Sequence, residues 1–212
     1  MRSRPQTQME EAANALSHGI GFFLAALSLP VLQAFVSVHG SPMAVLGATV
    51  FSATMMLLYF ASAVYHALPP GRLKRLFNRF DHAAIFIFIA GSYTPFALGP
   101  LAGGIGWPLF LTVWGMAAVG VLLKAAGRLQ HPLWSTLLYV AMGWLGLLAV
   151  EPLVHHLGVD GMTLLVGGGV AYTVGAVFFL IDHRLPFAHF IWHLFVIAGS
   201  VCHFVAALRY TA

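Results

Sequence analysis

Two histidines four residues apart, His189 and His193, stand near the start of the apolar run AHFIWHLFVIAGSVCHF. Residues at i and i+4 share one face of a helix, so both imidazoles can aim at one ion. An imidazole inside a membrane helix costs free energy unless it is partnered, which favours a functional reading. Three imidazoles with an open fourth position make a catalytic zinc arrangement, whereas closed structural sites prefer thiolates. His66, at the end of an earlier apolar run, is the expected third ligand. Zinc lowers the pKa of bound water toward ~7, and a nearby carboxylate can act as general base or orienting partner. Asp81 is the candidate for that role. Ser62 precedes His66 by four residues, hence on the same face, where its hydroxyl can hold water or polarise a substrate carbonyl. Glu11, Asn14 and His18, at the approach to the first apolar run, are candidates for a supporting shell or a cap over the polar layer.

Such distant residues meet only if membrane helices bring them together. The chain has 212 residues, 60% hydrophobic and only 8% charged, with mean hydropathy +0.88. Soluble domains carry about 25% charged residues, so this is read as an integral membrane protein forming one domain, 1–212. The formal charge of +4 does not point to nucleic acid, because the basic residues are scattered between apolar segments. Cys202 is the only cysteine, which excludes an intrachain disulfide. Seven apolar segments follow one another at about 18–38, 43–66, 82–98, 105–123, 134–150, 161–181 and 187–208. Each is near the ~20 residues a helix needs to cross the hydrocarbon core, and none alternates as a barrel strand would. The first is expected to be a retained helix rather than a cleaved signal peptide.

Orientation follows from the basic residues. Arg2, Arg4, Arg72, Lys74, Arg75, Arg79, Lys124, Arg128 and Arg184 fall in the amino-terminal tail and in the loops after the second, fourth and sixth segments. The opposite loops hold none, and the far tail holds only Arg209. This asymmetry places the amino terminus in the cytoplasm and the carboxyl terminus outside. His66 then ends the second helix on the cytoplasmic side, and Asp81 opens the third after a short basic loop. His189 and His193 begin the seventh, and His18 begins the first. All share one inner layer.

Other polar residues have plainer readings. His39, His155 and His156 fall in or beside external loops and are expected to be solvated. His203 lies too far along the last helix to share an ion with His193. His82 is read as a hydrogen-bond partner or interfacial residue beside Asp81, and His183 merely adjoins the layer. Gly91-Ser92-Tyr93-Thr94-Pro95 is expected to break or kink the third helix, with Ser92 and Thr94 satisfying freed backbone groups. The glycines at 143, 146 and 167–169 suit close helix packing rather than phosphate binding.

The stretches EEAANALSH, SAVYH, DHAAIFIFIAGSYTPF and AHFIWHLFVIAGSVCHF, in this order, resemble the hemolysin III family over nearly the whole chain. That family belongs with the progestin and adipoQ receptor family, which includes the adiponectin receptors. The resemblance implies seven transmembrane helices with a cytoplasmic amino terminus. It also implies a zinc site on three histidines with an aspartate on the bound water, which maps to Ser62-x-x-x-His66, Asp81 and His189-x-x-x-His193. Ceramidase-like hydrolysis of a lipid amide or ester is the activity it suggests, although the lipid itself does not transfer.

Three functions follow. A zinc-dependent membrane hydrolase of a lipid amide or ester ranks first, with membrane lipid as partner and substrate. A regulator or sensor of membrane state, with structural zinc joining helices two and seven, ranks second. A pore-forming haemolysin or channel ranks third, because the segment middles are apolar and a channel needs polar residues across the full thickness. The expected location is a bacterial inner membrane.

Overall fold

A computed structural model describes residues 4–211, so Arg2 lies outside the described residues. The described chain is all-helical, with no strand. Its elements are α1 (Gln8–His39), α2 (Pro42–Ala67), α3 (Arg72–Leu98), α4 (Gly106–Ala125), α5 (Pro132–Gly143), α6 (Val150–Ile181) and α7 (Ala188–Tyr210). A short 3₁₀ segment, Leu145–Ala149, joins α5 to α6.

Four boundaries differ from expectation: α5 stops at Gly143 instead of near 150, where the 3₁₀ segment takes over, and the starts of α1, α3 and α6 move for identifiable reasons. α1 begins well before residue 18 because Thr7 and Glu10 form a capping box. The Glu10 amide donates to Thr7 Oγ1 (3.2 Å), and the Thr7 amide donates to the Glu10 carboxylate (2.9 Å). Glu11, Asn14 and His18 are therefore on the helix itself. The basic stretch 72–79, expected as a loop, is the opening of α3, which puts Asp81 inside that helix rather than at its start. Charge marks contact with water; it does not forbid helix, and Arg, Leu and Lys are good helix formers. α6 starts at Val150 and bends at Gly158, whose φ of 62° suits glycine. His155 and His156, expected beside a loop, thus sit on helical turns before the bend, and both are exposed.

Of the break or kink expected at Gly91–Pro95, a break does not occur. α3 runs through Pro95 to Leu98. Ser92 Oγ donates to the Ile89 carbonyl and Thr94 Oγ1 to that of Ala90. Gly47 of α2 lets the two helices close here, since a Cβ on it would lie 2.7 Å from Pro95 Cα.

Packing runs in series from α1 to α4, and α7 fits between α6 and α1. That closure brings the last helix against the first. The surface is apolar, with Phe23, Leu111 and Val159 each more than 60% exposed. Asn14, Thr94 and Ser135 are fully buried instead. An apolar exterior around a polar interior suits lipid, not water. Among the described residues five stretches are long and apolar enough to cross a membrane: Gln8–Val38, Pro42–Ala67, Gly106–Ala125, Pro132–Ile181 and Ala188–Tyr210. Sequence alone expects seven. α3 is not among the five, because Asp81, His82 and its basic opening dilute its apolar content, and Pro132–Ile181 stands as one 50-residue stretch.

Candidate metal centre

His66 enters from the last turn of α2, and His189 and His193 from the first two turns of α7. Their ring centroids lie 4.9–5.1 Å apart in all three pairs. One nitrogen from each falls within 4.8 Å of the others. His66 and His193 are buried, and the His189 side chain is only 11% exposed. The sequence expectation that these three meet is realised in the fold.

Each ring is held by its Nδ1. His66 Nδ1 donates to Glu11 Oε2 at 2.7 Å, and Lys74 Nζ lies 3.0 Å from the other oxygen of that carboxylate. His189 Nδ1 donates to Asp182 Oδ2 at 3.0 Å. His193 Nδ1 donates toward the Asn14 carbonyl (3.2 Å) with Ser17 Oγ 3.0 Å away. A hydrogen bond on one ring nitrogen sets which nitrogen remains for a ligand. Here Nε2 remains on all three rings. His66 Nε2 is buried with no partner, although buried nitrogens are nearly always satisfied. The donor set therefore fits a divalent ion that accepts imidazole nitrogens, such as zinc.

Other unsatisfied atoms collect at the same place. Asn14 Oδ1 and both nitrogens of His18 are buried without partners, and Ser62 Oγ is buried beside the Asp81 carboxylate. The His18 ring stacks on His193, with centroids 3.5 Å apart and planes within 5°. Asp81 is buried, with an oxygen 4.0 Å from His82 Nδ1, while that nitrogen donates to the Asn78 carbonyl at 2.8 Å. His203 sits apart from the cluster, its Nε2 donating to the Leu165 carbonyl and its ring edge-on to Tyr172. His183 accepts from Arg184 on the α6–α7 loop.

His18, Ser62, Asp81, His189 and His193 also line one cavity of ≈ 170 Å³. Its remaining walls are mostly apolar, among them Phe88, Phe96, Leu147, Met162 and Val196. On α3 the lining runs from Asp81 to Phe96. At 1.5 Å per residue this is about 22 Å, against a hydrocarbon core of about 30 Å. A polar cluster at one end of a long apolar cavity can receive a molecule with a polar group and an extended hydrocarbon tail.

A family model described as haemolysin-III related matches residues 6–204. The chain belongs to the haemolysin-III related family. It is 42% identical to "Hemolysin-3" of Bacillus cereus over 210 residues, covering 99% of this chain and 95% of that protein. It is 41% identical to "Hemolysin-3 homolog" of Bacillus subtilis (strain 168) over 204 residues, covering 96% and 95%. A more distant relative is "Monocyte to macrophage differentiation factor" of Homo sapiens, 31% identical over 172 residues, 77% of this chain and 69% of that protein. It extends the likeness to the progestin and adipoQ receptor family. No solved structure matches. Family and apolar helices together make this haemolysin-III related chain an integral membrane protein.

Sequence reasoning missed four contributors. Asp182 anchors His189 from seven residues upstream across a turn. Ser17 reaches His193 from α1. Lys74, read only as an orientation marker, also donates to the carbonyls of Tyr65 and Leu68, both at 3.1 Å, closing the end of α2. Glu10 ties α1 to the start of α7 by accepting from the Phe187 amide at 2.8 Å. Asp182 was open to discovery as the acid nearest to a proposed ligand along the chain; Ser17 and Glu10 signal nothing until α1 and α7 are packed together, and Lys74 nothing until α3 folds back on α2 and α1.

Proposed function

We propose that this chain is a zinc-dependent membrane hydrolase of a lipid amide or ester. The observation that carries the reading is the set of three Nδ1-anchored histidines at the polar end of the apolar cavity. His66, His189 and His193 would hold the ion through Nε2. Zinc supplies Lewis acidity and a water of lowered pKa. Asp81 takes up a proton as general base from within the cavity. Ser62 Oγ, buried beside the Asp81 carboxylate, donates to the carbonyl oxygen of the scissile bond and favours the charge that develops there. Glu11, Asp182 and the Asn14 carbonyl keep the rings turned so that Nε2 points inward. The apolar walls hold the tail and exclude water.

This reading has seven crossings, with the amino terminus in the cytoplasm, the carboxyl terminus outside and the chain in a bacterial inner membrane. Two arguments support the count. The 50 residues of Pro132–Ile181, at 1.5 Å each about 75 Å of helical path, are more than twice the hydrocarbon core, and the breaks at 144–149 and Gly158 let the path turn back. The apolar part of α3 after Asp81 is long enough for another crossing.

Metal analysis of the purified protein comes first. About one zinc per chain is expected, lost on His66→Ala or His193→Ala. Asp81→Asn keeps the zinc and abolishes release of fatty acid from a panel of lipid amides and esters. Zinc-free wild type after mild purification overturns the reading. Zinc retained without turnover on any panel member leaves the regulator. The name of the Bacillus cereus relative raises a pore, for which conductance in liposomes surviving loss of all three histidines is the test.

A further inference from the structure

A second cleft opens beside the start of α3, with Arg75, Arg79, Lys74 and Lys124 on its walls and no carboxylate. Asn78 and Gln130 add amide groups. Lys74 is already committed to Glu11 and to backbone carbonyls. Arg75 and Arg79 have no hydrogen-bond acceptor or ion-pair partner among the described residues, and Lys124 makes no direct hydrogen bond, feeling the buried Asp81 carboxylate only across a gap. Lys124 is 9% exposed, so its ammonium has lost most of its water without gaining a protein acceptor. Burying a charge this way is costly unless something pairs with it. Lys124, with the exposed Arg75 and Arg79 around the same cleft, makes a cationic site that suits an anionic group able to accept several hydrogen bonds, which in shape and charge means a phosphate.

The same helical turns show what carries that phosphate. Leu73, Leu76 and Phe80 are 53%, 45% and 52% exposed. Their spacing puts them on one stripe of α3, and Arg75 and Arg79 stand beside that stripe around the helix. A charged row next to an exposed apolar row is how a helix lies at the boundary of headgroups and acyl chains. A free phosphate makes no use of the apolar stripe; a phospholipid uses both. We propose that this cleft binds the phosphate of an anionic phospholipid, with its acyl chains along Leu73, Leu76 and Phe80. Arg75 and Arg79 do not line the apolar cavity, so the site can be tested apart from the hydrolase reading.

The test uses the full chain in mixed micelles of equal phosphatidylglycerol and phosphatidylcholine, with retained lipids counted by native mass spectrometry. Wild type is expected to keep phosphatidylglycerol in preference to phosphatidylcholine. Each cation removed should weaken retention about fivefold, so Arg75→Gln with Arg79→Gln should lose about 25-fold. The lysine pair Arg75→Lys with Arg79→Lys should recover most of the preference. Lys124→Gln provides an independent variant from the cleft wall on α4, and unchanged thermal unfolding identifies folded variants. Millimolar inorganic phosphate should not displace the lipid. Equal retention of both lipids by wild type, retention indifferent to the arginine pair and to Lys124→Gln, or displacement by inorganic phosphate alone would each overturn the proposal.

Discussion

Glu10→Ala is expected to loosen the protein at a point remote in sequence from the histidines it supports. The Glu10 carboxylate is buried, 3% exposed, and accepts from Arg4 Nη1 (2.9 Å), Arg4 Nη2, the Thr7 amide (2.9 Å) and the Phe187 amide (2.8 Å). Phe187 has φ of 59°, a left-handed conformation that costs a non-glycine residue about 1–2 kcal/mol. It immediately precedes α7 and stands two residues before His189. Alanine at position 10 strands a guanidinium and two amides. Arg4 is open to water, so its pair with Glu10 adds little. The two amides hydrogen-bond a charged group, and losing both bonds costs about 3 kcal/mol. For a chain of this size that corresponds to a fall in Tm of about 6–12 °C. Thermal unfolding in detergent measures it, and zinc affinity gives the second readout. Arg4→Ala should cost less, because Glu10 keeps its two amide donors. If Arg4→Ala matches Glu10→Ala, the bond to Phe187 contributes nothing. If Tm falls while zinc affinity stays put, Glu10 does not position α7, and the reasoning fails.

Three other perturbations probe the same construction. Glu11→Ala and Asp182→Asn each free a ring that now has its Nδ1 held, and metal affinity should fall about 10–100-fold by competition titration. An affinity equal to wild type in both removes the orienting role. Chelation should lower the Tm of wild type and leave His193→Ala unmoved, since an ion at 100 times its Kd adds about 2.7 kcal/mol; equal shifts in both proteins would place the ion elsewhere. Gly47→Ala sets a Cβ 2.7 Å from Pro95 Cα, a contact with backbone that cannot swing aside. Overpacking of this kind costs about 1–3 kcal/mol in chemical or thermal unfolding, and an unchanged midpoint would mean that α2 and α3 separate freely.

Much of the architecture could be read one segment at a time. The apolar runs near 43–66, 105–123 and 187–208 agree with α2, α4 and α7 to within a few residues. Lipid demands internal backbone hydrogen bonding and therefore helix wherever the run is long enough. The errors fall where water and lipid meet. There a basic stretch such as 72–79 is equally soluble as loop or helix, and its conformation depends on what it packs against.

The pairing of His189 with His193 needed nothing beyond the chain, because helical periodicity alone puts i and i+4 on one face. Glu11, Asn14 and His18 were legible as a polar set at one depth, but not what each would touch. That required α7 to pack against α1, which turns Asn14 and Ser17 toward His193, and α1 to pack against α2, which lets Glu11 reach His66. Which nitrogen of each ring remains free is likewise a tertiary matter. It depends on acceptors contributed by other helices and by the α6–α7 turn, and their distances arise only when the bundle closes.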